Sequence, residues 1–170
     1  MTSHTITLRV SLEPKIYRDI EISSEASLYK LAQVINKVFG FDFDHMFGFY
    51  DNLKKPYKSA TVYELFTDLG EASDENARGV KKSTVAEAFE KDGATFAYLF
   101  DYGDEWIFRV KRTGAAASAA AKTYWKLIKS EGEAPEQYPE YEEEEMGGSF
   151  EDNYEMRKVG ILTVVTRREK

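Results

Sequence analysis

Residues 5–22 read TITLRVSLEPKIYRDIEI. Ile6, Leu8, Val10 and Leu12 alternate with Thr5, Thr7, Arg9 and Ser11, the period-two pattern of a half-buried strand. After Glu13-Pro14-Lys15 the alternation resumes, with Ile16, Ile20 and Ile22 on one face and Tyr17, Asp19 and Glu21 on the other. Two such runs joined by a Pro-containing turn predict a hairpin. Arg18 stands out because it falls in the apolar phase between Ile16 and Ile20.

A helix is expected next. Ser27 supplies a cap, Leu28, Leu31, Ile35, Val38 and Phe39 recur at helical spacing, and Gly40 offers a left-handed stop. An aromatic strand is expected from His45 to Tyr50, with His45, Phe47 and Phe49 in one phase. Val62–Leu69 suggests a short helix and 71–78 an exposed loop. Ser83-Thr84 then caps a brief helical pattern through Phe89. A second hairpin is written as TFAYLFD, a turn, and DEWIFRVK. Tyr124–Ile128 and Val159–Val165 add two later strands. The alanine run Ala115–Ala121 is expected to be a surface segment. This order, β-β-α-β first and hairpins later, predicts an α+β fold: a mainly antiparallel sheet of hairpins with a helix packed across one face.

If Tyr102-Gly103 forms a two-residue turn, Asp101 and Asp104 oppose each other on one face with Leu99 and Trp106. Opposed β-carbons lie ~4.5–5.5 Å apart, and two ionised carboxylates that close require a cation, a metal or one retained proton. Arg18, itself in a core phase, is one candidate partner. His45 is another, and a divalent metal on Asp101, Asp104 and His45 is a third. Each residue also has an ordinary explanation. Aspartates beside glycine decorate exposed turns, His45 suits a core rim, and Arg18 can snorkel to a sheet edge.

These residues carry a family resemblance. Pro14-Lys15-Ile16-Tyr17-Arg18 resembles the Pro-x-Ile-Trp-Arg start of the plasmid pRiA4b ORF-3-like family. His45-Met46-Phe47-Gly48-Phe49 is similar to its His-Leu-x-x-Phe element, and Phe100-Asp101-Tyr102-Gly103-Asp104-Glu105-Trp106 to its Tyr-Asp-(Phe/Tyr)-Gly-Asp-x-Trp motif. Order and spacing agree over the first 112 residues. Beyond them only Gln137-Tyr138-Pro139 and Glu145-Met146-Gly147-Gly148 remain of the family's later segment, which often carries cysteine. Tyr17 stands where many relatives have Trp. The resemblance implies a compact cytoplasmic α+β domain met on plasmids and mobile elements, with no established activity. It carries over Arg18, His45, Asp101, Gly103, Asp104 and Trp106 by position.

Composition bounds the chemistry. The chain has 170 residues, 42% of them apolar and 14% aromatic, which suits a single domain spanning 1–170. No cysteine is present, excluding disulfides and thiolate sites, and only His4 and His45 offer imidazoles. No apolar run approaches the ~20 residues of a membrane span. The opening MTSHTITLRV has no signal-peptide core, so a soluble cytoplasmic protein is expected. The net charge of −7 is unevenly spread: residues 131–155 hold 11 acids and no Lys or Arg. This acidic segment, about 131–156, is anchored by Tyr138, Tyr141, Phe150 and Tyr154. It reads as a solvated loop or as an arm over a basic face including Arg109, Lys111, Arg112, Lys122, Lys126 and Lys129.

No phosphate-binding glycine loop, nucleophile elbow or zinc helix is present. The leading expectation is therefore a binding or interaction domain, without cofactor, for a protein partner or small polar ligand, built around an Arg18, Asp101, Asp104 and His45 cluster. One alternative is metal-assisted hydrolysis or phosphoryl handling at Asp101, Asp104 and His45. The other is nucleic-acid binding gated by the acidic segment.

Overall fold

The computed structural model describes residues 4–116, 118, 120–140, 154–159 and 162–167. Two compact units divide the chain, Met1–Pro135 and Glu136–Lys170. In the first, strands β1 (Thr5–Glu13) and β2 (Ile16–Ser23) form the hairpin expected from their alternation. Leu8 faces Ile20 and Val10 faces Arg18, so the inward row is apolar apart from Arg18. Helix α1 (Leu28–Phe39) follows. Ser27 Oγ accepts the Lys30 N–H, and Gly40 closes the helix at φ 73°.

The chain continues through β3 (Phe47–Tyr50), a 3₁₀ turn at Pro56–Lys58, β4 (Val62–Glu64), α2 (Leu65–Asp68) and β5 (Arg78–Gly79). It then forms α3 (Val85–Ala88), β6 (Thr95–Phe100), β7 (Trp106–Ala116) and β8 (Trp125–Glu131). The Thr84–Glu87 capping box fixes the start of α3 as expected. Eight strands make one sheet in the order β5-β4-β3-β6-β7-β1-β2-β8, antiparallel except for β4 with β5. The fold is α+β and strand-rich. No helix among the described residues is long and apolar enough to cross a membrane.

The main core lies on the sheet face that carries Phe47 and Phe49 of β3, Phe96, Tyr98 and Phe100 of β6, and Trp106, Phe108 and Val110 of β7. Helix α1 meets it through Phe39, whose ring centroid is 4.8 Å from Phe108. Buried Asn36 accepts the Tyr98 hydroxyl at 2.8 Å and donates to the Asp42 carbonyl. Burial of each large side chain contributes roughly 1.5–3 kcal/mol.

Strands β6 and β7 differ instructively. From Trp106 to Val110, β7 alternates buried and exposed residues, so its second face is open. From Phe96 to Phe100, β6 is buried at every position. Ala97 and Leu99 point away from the main core into a second, smaller cluster with Tyr50, against which Val62 and Tyr102 pack. The back of the sheet is therefore covered where β3 and β6 pair.

Several expectations need correction. Phe100 pairs with Trp106 and Tyr98 with Phe108, one residue out of the expected register. Residues 101–105 form the loop, and Asp101 (φ 61°) and Glu105 (φ 54°) both take left-handed conformations. A one-residue slip exchanges the faces of a strand. This register gathers the large rings of both strands in the core, whereas the expected one sets Phe108 against Ala97. Asp101 and Asp104 are consequently not an opposed pair.

Other corrections are smaller. Strand β3 starts at Phe47, leaving His45 exposed before it. Val62–Leu69 divides into β4 and α2 instead of forming one helix. The alanine run begins as the end of β7. In the second unit β9 (Tyr154–Val159) and β10 (Leu162–Arg167) pair with each other, so the residues expected to form one strand at 159–165 contribute to two. Residues 141–153, half of the acidic segment, lie outside the described residues.

Candidate functional site

Arg18 is 6% exposed, as its apolar phase requires, but its partners are carbonyls. Nε donates to Val38 O in the last turn of α1, and Nη1 to Tyr17 O, Glu131 O and Gly132 O at 2.8–3.0 Å. The guanidinium lies 4.8 Å from the centre of the Phe39 ring, and burial draws its pKa below the ordinary arginine value. Gly132 (φ 74°) must be glycine, because a Cβ there would collide with Lys15 O. Arg18 thus ties the end of α1 to β2 and β8. Among the described residues it makes no ion pair, so the expected Arg18–aspartate network is replaced by carbonyl dipoles.

The loop 101–105 is organised by Asp101. Its Oδ1 accepts the N–H groups of Gly103 (2.9 Å) and Asp104 (3.3 Å), an Asx-type turn, and its own N–H donates to Met46 O. Oδ2 lies 3.4 Å from Nε2 of His45. Asp101 is 7% exposed, whereas Asp104 is exposed. Trp106 lies under the loop with its ring 4.5 Å from Phe41, and its buried indole N–H has no acceptor among the described residues. The structure therefore unites His45, Asp101, Gly103 and Asp104 at the loop. Among the described residues, no three His, Asp or Glu side chains gather into a metal-holding group.

The same loop sends Tyr102 to the back of the sheet, beside a cleft of about 420 Å³. Tyr50 leaves β3 on the side opposite Phe49, next to Ala97 and Leu99. Its hydroxyl lies 2.8 Å from that of Tyr102, whose ring is 5.3 Å from Phe66 of α2. Gly48 makes this possible, since a Cβ there would come within 2.9 Å of the Tyr50 ring and 3.0 Å of the Tyr102 hydroxyl. Tyr57, from the 3₁₀ turn, donates to Glu105 Oε1 at 3.0 Å and leans on Tyr50 at 6.2 Å between centroids. Asp51 shapes this wall by accepting the N–H groups of Ala60 and Thr61.

Glu64 closes the far side and is fully buried. Its Oε1 accepts Ser73 N (2.6 Å) and Thr67 Oγ1 (3.3 Å), and its Oε2 accepts Ser73 Oγ (2.7 Å). Among the described residues no cation pairs with it. Burial raises the Tyr50 pKa, its bond to Tyr102 opposing and the charge of Glu64 adding. Burial, then the bond to Tyr50 and nearby negative charge, raises that of Tyr102. Tyr57 is pushed up to about 12 by burial and then by Glu105, although the residue as a whole is 64% exposed. All three phenols stay neutral at physiological pH.

The sequence model of the family described as Plasmid pRiA4b ORF-3-like protein matches residues 2–157. The chain belongs to that family. The pRiA4b ORF-3-like chain also resembles a crystal structure of a protein of unknown function from Methanosarcina mazei Go1, at 17% identity and a TM-score of 0.60. The match covers 79% of this chain and 73% of the other. That likeness concerns the fold alone. Comparison with curated proteins found no match.

Two of the stretches that resemble pRiA4b ORF-3-like motifs serve the cleft through residues not singled out from sequence: Gly48 in one and Tyr102 in the other. The available signal was the unbroken apolar run Phe96–Phe100, which marks a strand covered on both faces.

Proposed function

We propose that this pRiA4b ORF-3-like chain is a ligand-binding module that takes a small polar molecule into the tyrosine-floored cleft. One observation carries the reading. A paired set of phenol hydroxyls and a fully buried carboxylate line a cleft of about 420 Å³, within the usual ligand-pocket range of roughly 300–1,000 Å³. A few polar groups set among aromatic walls fix the orientation of a ligand without requiring chemistry on it. Asp101, by contrast, has its Oδ1 committed to holding the loop.

The test is a fragment screen by NMR on the full chain, run beside Ala60→Trp, which fills the cleft from an exposed lining position. Hits should perturb Tyr50, Tyr57, Phe66 and Tyr102 together and lose affinity in the filled variant. Hits that gather elsewhere, or bind Ala60→Trp equally well, overturn the reading.

A further inference from the structure

This inference rests on the cleft being a binding site and names the chemistry of its ligand. We propose that the ligand carries a quaternary ammonium group, seated against the tyrosine rings and held by the charge of Glu64. The lining includes four aromatic side chains, Tyr50, Tyr57, Phe66 and Tyr102, and two carboxylates, Glu64 and Asp74, but no Lys or Arg. Lys54, Lys55 and Lys58, on the neighbouring loop, are exposed and outside it.

Glu64 is the second, independent observation. A carboxylate fully removed from water carries a large desolvation cost unless a cation or strong donors answer it. Here the only partners given by the described residues are neutral: the Ser73 N–H and hydroxyl and the Thr67 hydroxyl. No cation among the described residues answers this carboxylate, and Tyr50 and Tyr102 line the cleft with it. The rings stand at inclined angles, Tyr57 to Tyr50 at 64° and Phe66 to Tyr102 at 40°, so they present faces in more than one direction. Inclined aromatic faces around a negative charge suit a cation that is recognised by cation–π attraction.

Ammonium is favoured over the other cations by what Glu64 has left to offer. Both of its oxygens already accept from Ser73, so a guanidinium fork would have to displace those bonds. Among the described residues no three His, Asp or Glu side chains gather there to hold a metal ion. A quaternary ammonium has no N–H to satisfy and needs only field and ring faces.

The experiment titrates choline into the full chain and follows the aromatic NMR signals, with three comparison probes: the neutral isostere 3,3-dimethylbutanol, guanidinium and acetate. Choline should saturate and move Tyr50, Tyr57, Phe66 and Tyr102, binding about tenfold or more tighter than the neutral isostere. Glu64→Gln should erase most of that preference. Tyr57→Ala, at a largely exposed ring, should weaken choline about fivefold or more. Equal binding of choline and its isostere, or stronger binding of guanidinium or acetate, with loss in Ala60→Trp, overturns the ammonium assignment and leaves the cleft as a binding site. Failure of choline to move any of the four rings also overturns it, and the fragment screen then decides the binding reading separately.

Discussion

The hydroxyls of Tyr50 and Tyr102 lie 2.8 Å apart, and both rings reach that position because residue 48 is glycine. One residue comes from β3 and the other from the loop that follows β6. The pair therefore couples a central strand to a loop whose conformation Asp101 sets. The dependence on Gly48 is steric, not conformational, and it makes the cleft sensitive to a single methyl group.

Gly48→Ala should destabilise the protein by about 1–3 kcal/mol, the cost of overpacking a filled site. In a Tyr50→Ala background the obstructing ring is gone and the cost should shrink by at least about 0.5 kcal/mol. Urea denaturation of the four proteins in this cycle measures the coupling.

Arg18→Met should cost about 3 kcal/mol, because buried carbonyls at Val38, Tyr17, Glu131 and Gly132 lose a charged donor. Asp101→Asn should act independently of it, with the two effects adding to within about 0.5 kcal/mol. Strong coupling between them in a double-mutant cycle would restore the ion-pair network that the carbonyl contacts replace.

Asp101→Ala should cost about 1–2 kcal/mol by freeing the N–H groups of Gly103 and Asp104 and placing alanine at φ 61°. Asp104→Ala, at an exposed position, should stay within about 0.5 kcal/mol. Thermal melts separate the two aspartates directly. Equal effects would contradict the unequal roles assigned to them.

The tyrosines give a pH dependence of definite sign. Their folded pKa values are raised above the unfolded value near 10, so below that pH both states hold the proton and the stabilisation is fully present. Above it the unfolded chain releases protons that the folded chain keeps, and stability falls with rising pH. The urea midpoint should decline above about pH 10. Glu105→Gln should lower the Tyr57 pKa from about 12, read from tyrosinate absorbance or its ring carbon shifts. An unchanged Tyr57 titration would deny the contact with Glu105.

The first hairpin and α1 were legible because each residue's local preference agrees with its burial. Alternation set β1 and β2, and Ser27 and Gly40 bounded the helix. The register of β6 and β7 was not, because a Tyr-Gly pair invites a two-residue turn. The actual loop uses left-handed conformations at Asp101 and Glu105, which no glycine marks. Arg18 is buried, as its apolar phase indicates, but carbonyl partners do not announce themselves in a sequence. The cleft was hidden for a related reason. Glu64 meets Ser73 across a helix and a loop, and Tyr57 meets Glu105 from 48 residues away, so no periodicity links them.

The central claim is that ligand binding belongs to the cleft and not to the His45–Asp101 corner. The most direct measurement is the map of amide and ring shifts in the full chain when the tightest fragment hit is added. The account expects the largest changes at Gly48, Tyr50, Tyr57, Ser73 and Tyr102, absent in Ala60→Trp. Changes centred on Asp44, His45 and Asp104, with Tyr57 and Ser73 unmoved, would contradict it.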